Sequence, residues 1–333
     1  MNKPIAPTLR TIESNGIHLR IAEMGTGPLV ILVHGWPESW YSWRHQLPAL
    51  AAAGFHAVAP DMRGYGESDK PQAVEDYDIH HVTADIVGIV DALGKETGEK
   101  TAILVGHDWG AIVAWQCMLL HPQRFTALIA MSVPYTGHGQ QSIVQGLQKA
   151  LRDNFYYILY FQEPGVAEKE FDADPRGILS RLYLSPDSPR AAPTITDPKR
   201  AAGGWIPRLG APKGLPNWLT QADLDYYVKE FTAAGFRGGI NYYRNFDRNW
   251  ETTPQLADAK VTAPVLFIAG EKDVVLRGAT AEALKSSMKN TVPNLRDVKL
   301  FPGAGHWIQQ ERADDVNAAM IEFLHSATNS AAQ

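Results

Sequence analysis

The 333-residue chain has a single cysteine, Cys117, so no disulfide framework braces it. It carries little excess of either charge: 31 Lys and Arg face 36 Asp and Glu, a formal net charge of -5. That balance offers neither a basic surface for nucleic acid nor a polybasic segment for an anionic membrane. Long apolar runs are missing as well. Stretches such as Ala127 to Met131 and Val265 to Ala269 fall far short of the roughly 18 residues that begin to span a bilayer. Met1 to Arg10, MNKPIAPTLR, has two prolines and no apolar core, which argues against a signal peptide or membrane anchor. These absences point to a soluble, cytoplasmic protein in a reducing compartment, with a small molecule as its ligand.

What is present is enough apolar material, 45% of residues, for a full core and about two structural units. Thr8 to Glu23 holds two extended stretches around Asn15-Gly16, a pair that favours a tight hairpin turn. Leu29 to Val33, LVILV, reads as a strand buried on both faces, and similar runs recur at Ala57 to Ala59, Ile103 to Val105, Leu128 to Met131, Val265 to Ala269 and Val298 to Phe301. Helical patterns at Val82 to Leu93, Ala111 to Leu120 and Asp315 to Leu324 alternate with them, which predicts a parallel sheet with helices on both faces. The alternation stops after Pro134 and resumes near Pro264. Within the gap, Gln140 to Phe161, Asp223 to Ala233 and Gly238 to Arg248 look helical, whereas Ser185 to Pro216 has seven prolines and reads as an irregular loop. We therefore divide the chain into a core at 1–136 and 250–333 and a helical cap at 137–249, lying over the carboxyl ends of the strands, where open α/β sheets bind ligands.

The segment with the most chemistry is Ile103 to Val113, where a strand runs through Gly106-His107-Asp108-Trp109-Gly110 into a helix. This is the layout of a nucleophile elbow with aspartate in the serine position. An Asp could instead cap the helix, but a cap does not call for glycines two residues away on both sides. Aspartate suits attack on saturated carbon: serine would end as an ether, whereas a carboxylate becomes an ester that water can cleave. Cleavage needs a base, and His306, in the loop after the last strand, stands where the order nucleophile, acid, histidine puts it. Its acid partner is Asp273 in Gly270-Glu271-Lys272-Asp273, with Glu271 as local competitor; Ser132-Val133-Pro134, the other place for such an acid, has none. The amides of Trp36, after His34-Gly35, and of Trp109 are placed to form an oxyanion hole. Trp36, Trp109 and Trp307 are the expected substrate-binding aromatics, while His34 and His107 read as loop-holding residues.

Together these strings resemble the α/β-hydrolase-fold epoxide hydrolases of the soluble and microbial type. The resemblance rests on His34-Gly35-Trp36-Pro37, Asp61 to Ser68, Gly106 to Ala111 and Gly305-His306-Trp307 in the core, and on Tyr157 to Glu168 and Asn241 to Asn245 in the cap. It implies an α/β-hydrolase fold with a mostly parallel sheet and an inserted helical cap. It also implies that Tyr157 and Tyr243 hydrogen-bond the epoxide oxygen; the residues alone leave Tyr156, Tyr160 and Tyr242 as competitors. A phenol can support an alkoxide as the ring opens. The expected reaction turns an epoxide and water into a vicinal diol, without metal or organic cofactor. Two rivals remain. A haloalkane dehalogenase would share the core residues, but Trp rather than Asn at position 36 and the tyrosine-bearing cap favour the epoxide. A non-catalytic binding protein on this fold would need no complete set. Oligomeric state is not legible; a homodimer is the default expectation.

Overall fold

The computed structural model describes residues 6–331; the start of the N-terminal stretch expected to carry no signal segment, residues 1–5, lies outside them. Eight strands form one sheet: β1 Thr8–Ser14, β2 Ile17–Met24, β3 Leu29–Val33, β4 His56–Pro60, β5 Ala102–His107, β6 Phe125–Met131, β7 Val265–Gly270 and β8 Leu295–Phe301. Their order across it is β1-β2-β4-β3-β5-β6-β7-β8. β1 and β2 make the hairpin that Asn15-Gly16 predicts, with both turn residues at positive φ, 51° and 75°. β2 also pairs antiparallel with β4, and the remaining neighbours are parallel.

The uninterrupted apolar runs are explained by parity, because successive side chains in a strand point to opposite faces. Ile31 and Val33 join Leu104, Leu128 and Phe267 in one core cluster, to which helices Ile79–Thr97 and Trp109–Leu120 contribute Ile86 and Val113. Val30 and Leu32 join Ile103, Ile129 and Ile268 in the other, closed by Leu47 of helix Gln46–Ala52 and Met320 of helix Ala313–Ala331. The inner strands are therefore apolar along most of their length, with polar residues at their ends, His56 in β4, His107 in β5 and Thr126 in β6.

Between β6 and β7 the chain leaves the sheet and forms seven helices: Ile143–Leu151, Tyr157–Tyr160, Val166–Ala173, Pro175–Leu182, Gln221–Ala234, Arg237–Arg244 and Phe246–Thr252. Aromatic residues of this insertion pack onto loops at the carboxyl ends of the strands, with Tyr183 against Trp307 at 4.8 Å and Tyr243 against Trp36 at 5.8 Å between ring centroids. A buried ion cluster adds to this junction: Arg20 of β2 pairs with Asp61 of the core and with Glu230 of the insertion.

Two helical expectations are corrected. Gln140 to Phe161 is two helices, because Arg152 turns to φ 54° and the backbone of Phe155 donates to Pro198 O instead of continuing the helical ladder. Gly238 to Arg248 breaks at Asn245, whose side-chain amide donates to Asn241 O and Val74 O, competing with the helix for its own carbonyl. Ser185 to Pro216 is irregular as expected, with short 3-10 turns at Arg200–Ala202 and Ile206–Arg208. No helix among the described residues is long and apolar enough to cross a membrane.

Gly110 lies where helix Trp109–Leu120 starts hard against β3, and a Cβ there would stand 1.9 Å from Val33 O. Backbone cannot yield as a flexible side chain can. Gly110→Ala should cost about 1–3 kcal/mol or more, read as a lower urea midpoint at unchanged slope; an unaltered midpoint would mean that this approach is looser than described.

Candidate active site

Asp108 follows β5 with φ 53° and ψ -119°, a conformation that costs a non-glycine residue energy and lifts its side chain clear of the strand. It occupies the helix N-cap position yet makes no side-chain capping bond, so its carboxylate is free for other use. Gly35 is needed for what approaches it: a Cβ on Gly35 would lie 2.5 Å from Asp108 Cβ. Because that space is open, the Trp36 amide donates to Asp108 Oδ1 at 2.9 Å. The second oxygen, Oδ2, faces His306 Nε2 at 3.6 Å.

His306 reaches Asp273 through its other nitrogen, with Nδ1 3.0 and 3.2 Å from the two carboxylate oxygens. Asp273 is 2% exposed, and its Oδ1 also accepts from the Val275 amide. Burial would raise its pKa, but the imidazole beside it holds the carboxyl below its usual range. Burial would likewise lower His306, yet Asp273 and then Asp108 keep it well above the ordinary histidine value. The competitor, Glu271, is exposed and accepts from the Gly303 amide, supporting a turn. Ser132 donates to the His306 carbonyl, so the site that lacks an acid still braces the histidine loop.

Beneath these groups lies a buried network that the sequence reading noticed only in part. Glu38 is fully buried; its Oε2 accepts from the Gly35 amide at 2.8 Å and meets His107 Nδ1 at 2.8 Å, and its Oε1 accepts from Gln309. His107 Nε2 points at the His306 carbonyl at 2.7 Å. Both ring nitrogens of His107 therefore face oxygen atoms. Burial alone would raise Glu38, but His107 brings its carboxyl down. His34 has a different job: Nε2 accepts from the Met62 amide and Nδ1 donates to Gly35 O, a neutral tautomer consistent with its pKa being lowered by burial.

Above Asp108 is a cavity of about 290 Å³ whose wall includes Trp36, Tyr157, Trp205, Tyr243, His306 and Trp307. Tyr157 and Tyr243 meet edge to face with centroids 5.8 Å apart. Of the three competing tyrosines, Tyr160 donates to Glu170 and Tyr242 donates to Arg63 O, while Tyr156 is outside the wall with its ring 4.9 Å from that of Tyr157. Burial, and secondly the Asp108 charge, pushes both cavity phenols upward, so each is a protonated donor. Trp36 and Trp307 line the cavity as expected. Trp109 does not; its ring stands against Tyr243 at 5.1 Å and stacks on Phe246 at 4.8 Å. Trp205, which was not singled out, stacks on both Tyr157 and Trp36, at 4.9 and 5.8 Å. A lone tryptophan after Gly203-Gly204 in a proline-rich loop was its only mark in the sequence.

The chain is similar to several known proteins. Residues 28–313 match the family model of the alpha/beta hydrolase fold. The chain is 48% identical over 324 residues to Epoxide hydrolase A of Mycobacterium tuberculosis (strain ATCC 25618 / H37Rv), covering 96% of this chain and 98% of the relative. It is 39% identical over 317 residues to Epoxide hydrolase 1 of Siraitia grosvenorii, covering 94% and 97%. Among solved structures, Epoxide Hydrolase A from Mycobacterium thermoresistibile superimposes with a TM-score of 0.86 at 48% identity, over 96% of this chain and 98% of that one.

If the Asp108 carboxylate helps to hold the His306 proton, Asp108→Asn should move the imidazole titration downward, toward the ordinary histidine range. NMR of the ring resonances across pH would measure it. An unmoved titration would mean that the charge at 3.6 Å does not reach the ring.

Proposed function

The chain belongs to the epoxide hydrolases of the α/β-hydrolase fold, and from that premise we propose that it opens its substrate through a covalent ester on Asp108 under a cap formed by residues 137–249. Oδ1 is held by the Trp36 amide, which leaves Oδ2 as the attacking atom. Oδ2 forms a bond to one epoxide carbon, the ring C–O bond breaks, and its electron pair goes to the ring oxygen. Tyr157 and Tyr243 hydrogen-bond that oxygen, and one phenol gives it a proton. Such proton donation contributes about 10²–10⁴-fold in rate.

Ester formation removes the negative charge of Asp108. The contribution of that charge to the raised phenol pKa values disappears just as the alkoxide needs a proton. The same loss takes away one of the two carboxylates that hold His306 protonated. The imidazolium then gives its Nε2 proton, relayed by water, to the phenolate, and the neutral ring accepts a proton from the attacking water while Asp273 keeps Nδ1 protonated and oriented. Hydroxide adds to the ester carbonyl, and the Trp36 amide, together with that of Trp109 at the helix start, stabilises the oxyanion. Collapse releases the diol. Of the two protons of the water consumed, one ends on the diol and one returns His306 to its charged form, the phenol having been restored by the Nε2 proton.

The observation that carries this reading is a free carboxylate at an elbow, shared between an amide donor and a histidine, below two phenols. His306→Gln should let alkylation proceed and stop release, so intact mass would show protein plus one substrate. In a single turnover in heavy-oxygen water the native enzyme should place the label in Asp108, not in the diol; label in the diol alone would exclude the ester. Tyr157→Phe combined with Tyr243→Phe should slow alkylation by about 10²–10⁴-fold, followed by stopped-flow fluorescence, and near-native rates would mean that the phenols do not serve the ring oxygen.

A further inference from the structure

We propose that the cavity selects epoxides bearing an anionic group, held at its mouth by Arg181 and Arg190; this rests on the epoxide-hydrolase reading of the same site. The wall has one carboxylate, Asp108, at its floor beside the His306 imidazole, and three further cationic side chains, Arg181, Arg190 and Lys272. Lys272 is offset by Asp187 at 2.7 Å. Neither arginine has a carboxylate partner among the described residues.

The two arginines are held in different ways. Arg181, in the last turn of helix Pro175–Leu182, donates from Nη1 to Gly177 O at 2.7 Å and from Nε to Leu209 O at 3.3 Å. Bracing the helix end uses those two donors and leaves Nη2 unengaged. Arg190 is exposed, but its backbone is fixed where Arg190 bridges Pro212 and the Ala191 amide donates to Ala211 O at 2.8 Å. Its guanidinium has no hydrogen-bond partner among the described residues. Two guanidinium groups with spare donors suit a carboxylate, which accepts parallel N–H bonds. Much of the remaining wall is apolar, with Leu182, Leu184, Trp205 and Leu209.

The polarity also orients. The Asp108 carboxylate repels an anionic end from the floor while the arginines attract it to the opening, so the neutral ring enters first. A cationic substrate would meet the reverse field. Because both arginines are near water, the gain is modest and sensitive to salt.

The test uses three linear terminal epoxides with the same chain, ending in a carboxylate, its methyl ester or a trimethylammonium group. For the native enzyme kcat/KM should favour the carboxylate over the ester by about tenfold, mostly through KM, with the cation slowest, and the preference should collapse in high salt. Arg190→Gln should bring the carboxylate-to-ester ratio down about threefold. Arg181→Gln should act in the same direction, with its melting temperature checked because that residue also braces a helix. Lys213→Gln removes one charge from the same loop but away from the cavity, and should leave the ratio alone. A native ratio of one with the ester turning over, or a ratio untouched in Arg190→Gln, would overturn the proposal. Loss of turnover on all three compounds would instead overturn the reading of the site on which it rests.

Discussion

The charge on one carboxylate, that of Asp108, bears on the protonation of the groups around it. Three of them respond to it: the phenols of Tyr157 and Tyr243 are pushed up by burial and then by this charge, and His306 is held up by Asp273 and then by it. In the proposed cycle the charge is present in the free enzyme and absent in the ester. Neutralising it makes the phenols better donors and the imidazole a readier base, at the stage where each is required. The base is thus released by the step that precedes its use. No rearrangement of the protein is needed for this, only a bond to Oδ2.

Holding that carboxylate in place has a cost that the same contacts offset. A non-glycine residue at φ 53° is strained by about 1–3 kcal/mol. A hydrogen bond to an ionised group contributes about 1.5–3 kcal/mol, so the Trp36 amide on Oδ1 is of the size required. That amide points inward because the Gly35 amide, one residue earlier, is tied to Glu38, and Glu38 is tied to His107 and Gln309. His107 in turn holds the carbonyl of His306. One buried pair therefore locks both the turn that donates to Asp108 and the loop that carries His306. Breaking such a pair from one side leaves an uncompensated buried charge, a loss of about 3–5 kcal/mol, which exceeds what either loop could recover locally.

What could be read in the sequence was whatever has a short-range signature. The strands of the sheet announce themselves as apolar runs because both of their faces are covered, and Asn15-Gly16 needs no tertiary context to turn. Asp108 was legible because a strained elbow requires small neighbours, and His306 and Asp273 because strand ends put them at one edge. The breaks at Arg152 and Asn245 were not legible, since they depend on partners far along the chain, Pro198 and Val74. Choosing Tyr157 and Tyr243 from five tyrosines needed a family likeness, because neighbouring helical positions differ only in direction. Glu38 and His107 carry no motif that says they meet, and Trp109 could not be told from a wall residue by composition alone.

The insertion and the sheet divide the work, but not cleanly. Asp108, His306 and Asp273 stand on loops at strand ends, while Tyr157, Tyr243 and Trp205 come from the insertion. Trp205 lies in the irregular loop and stacks on Tyr157 of a helix and on Trp36 of the core. Stacked rings contribute about 0.5–1.5 kcal/mol each beyond the area they bury, enough to make the position of Tyr157 depend on the loop. A change in the loop that moved the indole would alter the width of the cavity and the aim of a phenol together. Substrate size and ring-opening rate should therefore vary jointly when this loop is altered, and the loop also reaches the neighbours of the histidine and its acid partner, because Asp187 pairs with Lys272 beside Asp273 and Pro186 packs against Gly305 beside His306.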